Sequence, residues 1–278
     1  MKKYIYWVLL FVSISASAQI KIGTYTYKDG SEYVGELKGK KPNGKGKTVF
    51  KNGDTYEGEY VKGKRQGKGT YAFTDGEKYV GDWFQDQQHG MGTFYFMNNN
   101  RYEGMWYTDY QQGNGIMHYY NGDTYNGEWH QDKRNGKGTY TWKEGAEYAG
   151  DWKNDKKNGQ GVMIWPDKSR YEGEWVNNVR SGKGKYVWAN GDEYEGEWKN
   201  DMPDGEGLLT NADGSRYKGQ FVKGKEEGKG VLVDKDGVRH EGFFKQGRKH
   251  GAFIETDKEG KVIRKGTYKF GMPDTTQK

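Results

Sequence analysis

The chain has 278 residues, 45 of them glycine and 16% aromatic, while Leu, Ile, Val and Phe together supply only 40. So few aliphatic side chains exclude the usual aliphatic core, and glycine at this density, costing about 1 kcal/mol per helical position, excludes a helical bundle. Zero cysteines exclude disulfides, thiolate metal sites and a cysteine nucleophile, and the net charge of +6 is the remainder of 45 basic and 39 acidic residues, a mixed surface and not a nucleic-acid-binding one.

The first element in chain order is an address. Lys2 and Lys3 precede an apolar run from Tyr4 to Ser15, and Ala16-Ser17-Ala18 follows. That is the three-part pattern of a secretory signal peptide, with an apolar run too short to span a bilayer. Residues 1–18 are expected to be removed, leaving Gln19 first and the protein outside the cytoplasm: periplasmic, on the outer surface, or secreted. Residues 19–32, with Gly23 to Gly30, read as half of the unit that follows and supply a first strand.

From residue 33 to 262 one period rules. Tyr33, Tyr56, Tyr79, Tyr102, Tyr125, Tyr148, Tyr171, Tyr194 and Tyr217 are each 23 residues apart, and the tenth place holds His240. A fixed period in this range marks a repeat array, here of ten repeats. Counting each of these residues as place 1, glycine fills place 3 and a large apolar residue place 5, mostly Trp, as in Trp83, Trp106, Trp129, Trp152 and Trp175. A polar turn and a Gly-x-Gly pair at places 12 and 14 come next. Place 18 is a ring in the first seven repeats, including Trp142, Trp165 and Trp188. Asn-Gly or Asp-Gly closes several repeats, for example Asn121-Gly122.

Each repeat therefore reads as two short strands of period two joined by turns. Parity puts places 1, 3 and 5 on one face of the first strand, and places 12, 14, 16 and 18 on one face of the second. That face would be rings and bare glycines, because a large ring lies flat only where the neighbouring strand has no side chain. The opposite face would be charged, with acids such as Glu128 at place 4 and lysines such as Lys137 at place 13 able to form cross-strand pairs. The ring pattern fades late, at Asn211, Asp234 and His240, as capping repeats do. Residues 263–278 are a closing strand, Gly266 to Gly271, and a tail.

The pattern Tyr171-Glu172-Gly173-Glu174-Trp175 followed by Gly182-Lys183-Gly184 resembles the MORN (membrane occupation and recognition nexus) repeats, in an exported bacterial type. The resemblance recurs over residues 33–251. It implies an all-β fold: an elongated, twisted, single-layer antiparallel sheet of stacked hairpins, a rod of roughly 90–100 Å at about 4.8 Å per strand.

Chemistry fares poorly in the sequence. Gly39-x4-Gly44-Lys45 fails as a phosphate loop at Gly46, where Ser or Thr is needed for Mg²⁺. Asp234-x-Asp236-Gly237 fails as an EF-hand because the register puts Leu232 and Phe243 at ligand places. The histidines occur singly, and no carboxylate pair breaks the period as a glycosidase pair would. The family's lipid-kinase and methyltransferase domains have no room here. No catalytic residue, metal, cofactor, nucleotide or nucleic acid is expected.

The expected function is a non-enzymatic scaffold for a protein partner, or for self-association as a homodimer or end to end, since end strands expose unpaired backbone. The expected site is the ring face: Tyr79, Trp83, Tyr102, Trp106, Tyr125, Trp129, Trp142, Tyr148, Trp152, Trp165, Tyr171, Trp175 and Trp188. Aromatic residues often carry interface energy. The alternative, implied by the family, is anionic phospholipid headgroups on basic turns: Lys62, Lys64, Arg65, Lys133, Arg134, Lys156, Lys157, Arg248 and Lys249. A second alternative is glycan or cell-wall binding on the rings.

Overall fold

The computed structural model describes residues 21–274, so the predicted signal peptide lies outside the described residues. The strands are β1 (Lys21–Thr26), β2 (Glu32–Lys38), β3 (Lys41–Val49), β4 (Thr55–Val61), β5 (Lys64–Ala72), β6 (Lys78–Phe84), β7 (Gln87–Tyr95), β8 (Arg101–Tyr107), β9 (Tyr110–His118), β10 (Thr124–His130), β11 (Lys133–Thr141) and β12 (Glu147–Lys153). They continue as β13 (Lys156–Ile164), β14 (Arg170–Val176), β15 (Val179–Val187), β16 (Glu193–Lys199), β17 (Met202–Thr210), β18 (Arg216–Val222), β19 (Lys225–Val233), β20 (Arg239–Lys245), β21 (Arg248–Thr256), β22 (Val262–Lys269) and β23 (Met272–Pro273).

The chain divides into two compact units, one ending at Gln87 and one beginning at Gln88. In the first unit, β1 to β6 pair antiparallel in chain order. In the second, β7 to β23 do the same. The fold is all-β, an antiparallel sheet of hairpin repeats, as the period implies.

Two turn types alternate. Within a repeat a two-residue turn joins the strands, as at Asn154-Asp155, whose φ values of 48° and 66° fit the mirror-image turn that matches strand twist. Between repeats a three-residue loop serves. The N–H of Gly145 bonds the carbonyl of Trp142 at 2.9 Å, and the Trp142 N–H bonds the carbonyl of Ala146 at 2.9 Å. This is a tight turn followed by a glycine bulge.

The repeat beginning at Tyr125 shows how the residues set the geometry. Gly127 pairs with Gly138, but Trp129 pairs with Arg134, so the second strand carries a bulge at places 11–13. Gly136 sits in the bulge with φ 89°. A Cβ there would lie 2.7 Å from the carboxylate carbon of Glu128, on the acidic column. Place 12 is therefore not on the ring face. The parity count ran through a bulge, which resets the alternation. Glu128 belongs to the same device: its carboxylate accepts the Lys137 N–H at 2.8 Å.

Places 3 and 14 do what the rings require. A Cβ on Gly138 would lie 2.3 Å from the Tyr125 hydroxyl, so the phenol ring occupies the space that a side chain would need. The hydroxyl donates to the Glu128 carbonyl at 3.0 Å, and Trp129 Nε1 donates to the Gly115 carbonyl at 3.2 Å. Tyr125 meets Trp129 and Trp152 edge to face, with centroids 5.2 and 5.3 Å apart. Such pairs contribute about 0.5–1.5 kcal/mol beyond burial. Repeated along the sheet, this zigzag is the core.

The late repeats replace rings with charge. His240 takes the tyrosine place, with Nδ1 2.9 Å from Glu255 and Nε2 3.2 Å from Asp234. Tyr268 donates to the same Glu255 oxygen at 2.8 Å. Burial acts to raise the Glu255 pKa, but the bonds from Tyr268 and His240 outweigh it and hold it below the usual range.

Candidate functional site

The ring face divides by place. Tyr79, Tyr102, Tyr125, Tyr148 and Tyr171 are wholly buried, and Trp83, Trp106, Trp129, Trp152 and Trp175 nearly so. Burial pushes Tyr33 up to about 12 and raises the place-1 tyrosines from Tyr56 to Tyr217 for which a shift is resolved. These ten predicted residues are brought together, but as the packed interior of the two units. At place 18, Trp142 and Trp165 are half-buried and Trp188 is exposed. Place 18 leans on place 16 of the next repeat, as Trp165 does on Tyr186 at 5.3 Å.

The basic turns divide in the same way. Lys62, Lys64, Lys133, Lys156 and Arg248 are exposed. Arg65, Arg134, Lys157 and Lys249, at place 10, fold back onto rings. The guanidinium of Arg65 lies 4.3 Å from the Trp83 ring centre and that of Arg134 lies 4.4 Å from Trp152. Arg134 Nε also bonds Asp155 at 3.1 Å, and its terminal nitrogen donates to the Asp155 carbonyl at 3.0 Å. Arg180, absent from the sequence-based list, does the same with Asp201 and Trp198. These cations close the ring layer and tie one turn to the next. The signal was present in the sequence: Asp86, Asp155 and Asp201 each stand 21 residues beyond their arginine.

Two place-10 cations, Lys157 and Lys249, lack this carboxylate, with Asn178 and Phe270 standing 21 residues beyond them. Lys157 Nζ lies 4.0 Å over Trp175, and its turn partner is Asn178. Burial is the main cause that pulls its pKa down to about 8. A lysine lowered in the folded state costs stability fully below pH 8 and is relieved as pH rises toward its unfolded value. We expect Lys157→Arg with Asn178→Asp to add about 1 kcal/mol, more than the two single changes together. Urea midpoints of the four proteins in the cycle measure this. Between pH 8 and about 9.5, below the range in which unfolded tyrosine ionises, wild type should gain stability relative to the double variant.

The other face carries the open feature. Along β13 to β18, within the second unit, a trough of about 680 Å³ runs over the glycine pairs Gly173/Gly184 and Gly196/Gly207. Places 2 and 15 form one wall, including Glu172, Lys185, Glu195 and Lys218, and places 4 and 13 the other, including Glu174 and Lys183. Five carboxylates and three ammonium groups line it. A second trough of about 640 Å³ lies over the same places in the first unit. The expected cross-strand ion pairs close at Lys68–Asp82, 2.7 Å, and Lys137–Asp151, 2.6 Å.

A search of curated proteins finds no match. Among solved structures, the TCP10 domain of Danio rerio CPAP, in complex with a STIL peptide, is 14% identical with a TM-score of 0.40, covering 89% of this chain and 100% of that one. The TCP domain of Drosophila melanogaster SAS-4 (dCPAP), in complex with a proline-rich motif of Ana2 (dSTIL), is 13% identical with a TM-score of 0.37, covering 64% and 90%. An inactive virginiamycin B lyase from Staphylococcus aureus is 10% identical with a TM-score of 0.17, covering 90% and 95%. Likenesses at this level fix neither a shared arrangement nor a shared function. The MORN repeat family model matches eleven consecutive stretches, from residues 22–32 through 33–55 and each later repeat to 240–252. With the tyrosine, glycine and tryptophan columns in the places described, the chain belongs to the MORN repeat family.

Proposed function

We propose that the protein is a non-enzymatic scaffold that holds an extended, basic stretch of a protein partner in the trough of the charged face. The observation that carries this reading is the trough itself: a backbone floor of paired glycines between charged walls, open along six strands. Six strands at about 4.8 Å span roughly 24 Å, the reach of about seven extended residues. The excess of carboxylates favours a basic segment, with charge setting register and specificity more than raw affinity. The three-part N-terminus supports action outside the cytoplasm. A second reading places the partner on the place-18 rings, favoured by Trp188, whose large indole is 36% exposed.

The test begins with capture from an envelope extract and identification of the captured protein. Glu172→Lys with Glu195→Lys, both at exposed positions, should weaken binding of that protein about tenfold or more, with circular dichroism unchanged. Trp142→Ser with Trp165→Ser should leave it unaltered. The reverse pattern would move the site to the rings. Insensitivity to both pairs, with salt-sensitive pelleting on anionic vesicles, would favour the exposed turn cations and a lipid surface.

A further inference from the structure

Among the described residues, β1 is a second strand without a first. Gly23 pairs with Gly35 and Tyr25 with Tyr33, just as Gly138 pairs with Gly150 and Tyr140 with Tyr148. Lys21 therefore stands at place 12, Gly23 at place 14 and Tyr25 at place 16. Among the described residues no strand pairs with the other edge of β1.

β22 and β23 are the complementary half. Gly251 pairs with Tyr268 and Phe253 with Gly266, the register in which Gly228 meets Phe244 and Gly230 meets Gly242. Gly266 is thus place 3 and Tyr268 place 5, after a bulge near Ile263 that adds a residue to the period. β23 then begins a second strand, with Tyr268 opposite Pro273 as Leu37 is opposite Pro42. Among the described residues, the edge of β22 from Val262 to Gly266 has no strand beside it. Val262 and Ile263 there are 47% and 53% exposed.

We propose that β22 and β23 of one copy and β1 of a second copy complete one repeat between them. The repeat's own register sets the contact: Gly266 opposite Gly23, Lys265 opposite Thr24, and Arg264 opposite Tyr25. An open edge supplies the backbone donors and acceptors. The side chains suit each other as well. Arg264 stands in the tyrosine place, 5.7 Å from the Phe253 ring and 5.9 Å from Tyr268. Tyr25 and Tyr27, an edge-to-face pair 5.0 Å apart, would give this guanidinium an aromatic partner across the contact. Lys21, Arg264 and Lys265 carry like charge, so the contact forms at moderate salt, where exposed charges are screened. This inference is independent of the trough.

The chain contains no cysteine, which makes disulfide trapping direct. Thr24→Cys with Lys265→Cys, both exposed, should give a ladder of disulfide-linked dimers and larger species on a non-reducing gel, collapsing with reductant. Thr26→Cys with Lys265→Cys is two residues out of register and should trap roughly tenfold less, because diagonal neighbours are about 7–8 Å apart. Near-unchanged circular dichroism of both variants shows that they fold. No ladder, a bond closing within one chain, or equal trapping by both pairs would overturn the proposal.

Discussion

Gly127→Ala should cost at least about 3 kcal/mol, at the top of the range for inserting a methyl into a packed site. The added Cβ would lie 2.4 Å from the Gly138 Cα and 2.6 Å from the Lys137 carbonyl oxygen. Both are backbone atoms of the paired strand, so no side-chain rotation relieves the clash. Gly145→Ala is the control. It has φ 90° but nothing within 4 Å of the added atom, so its cost is conformational, about 1–2 kcal/mol. Urea denaturation of the two variants gives the contrast. Equal losses would mean that the backbones at Gly127 and Gly138 do not approach as closely as described.

Trp129→Ala should cost roughly 3–5 kcal/mol, the range for a buried large aromatic. The indole is 5% exposed, meets Tyr102 and Tyr125 at 5.3 and 5.2 Å, and satisfies its own N–H on Gly115. Because each repeat touches its neighbours, the loss should spread to both sides. Phe244→Ala, in the repeat where His240 has already replaced the tyrosine, should instead loosen β20 to β23 locally. Hydrogen exchange resolves the two patterns. Equal global losses from both variants would contradict repeat-by-repeat stability.

Much of this was legible in the sequence, because the period fixes it. The spacing of tyrosine and glycine gave the hairpins, and the need of a flat ring for bare neighbours gave the reason for Gly127 and Gly138. Parity failed at Gly136, since counting by twos assumes an unbroken strand and a bulge violates that assumption. The acids at place 4 were legible as a charged column, but not as bulge acceptors. Arg65, Arg134 and Lys157 read as turn cations because sequence shows charge, while the ring nearest each, Trp83, Trp152 or Trp175, lies in the next repeat. The same distance in sequence hid the trough, which no single repeat builds.

The division of rings into core and surface can be measured most directly by acrylamide quenching of tryptophan emission. Trp7, outside the described residues, is first replaced by Phe. Of the remaining indoles, Trp83, Trp106, Trp129, Trp152, Trp175 and Trp198 are buried, while Trp188 is exposed and Trp142 and Trp165 are half-buried. Two populations are expected, with the accessible one lost in Trp142→Phe, Trp165→Phe, Trp188→Phe protein. Quenching that is undiminished in that variant would contradict this division, and would return the place-5 rings to the surface.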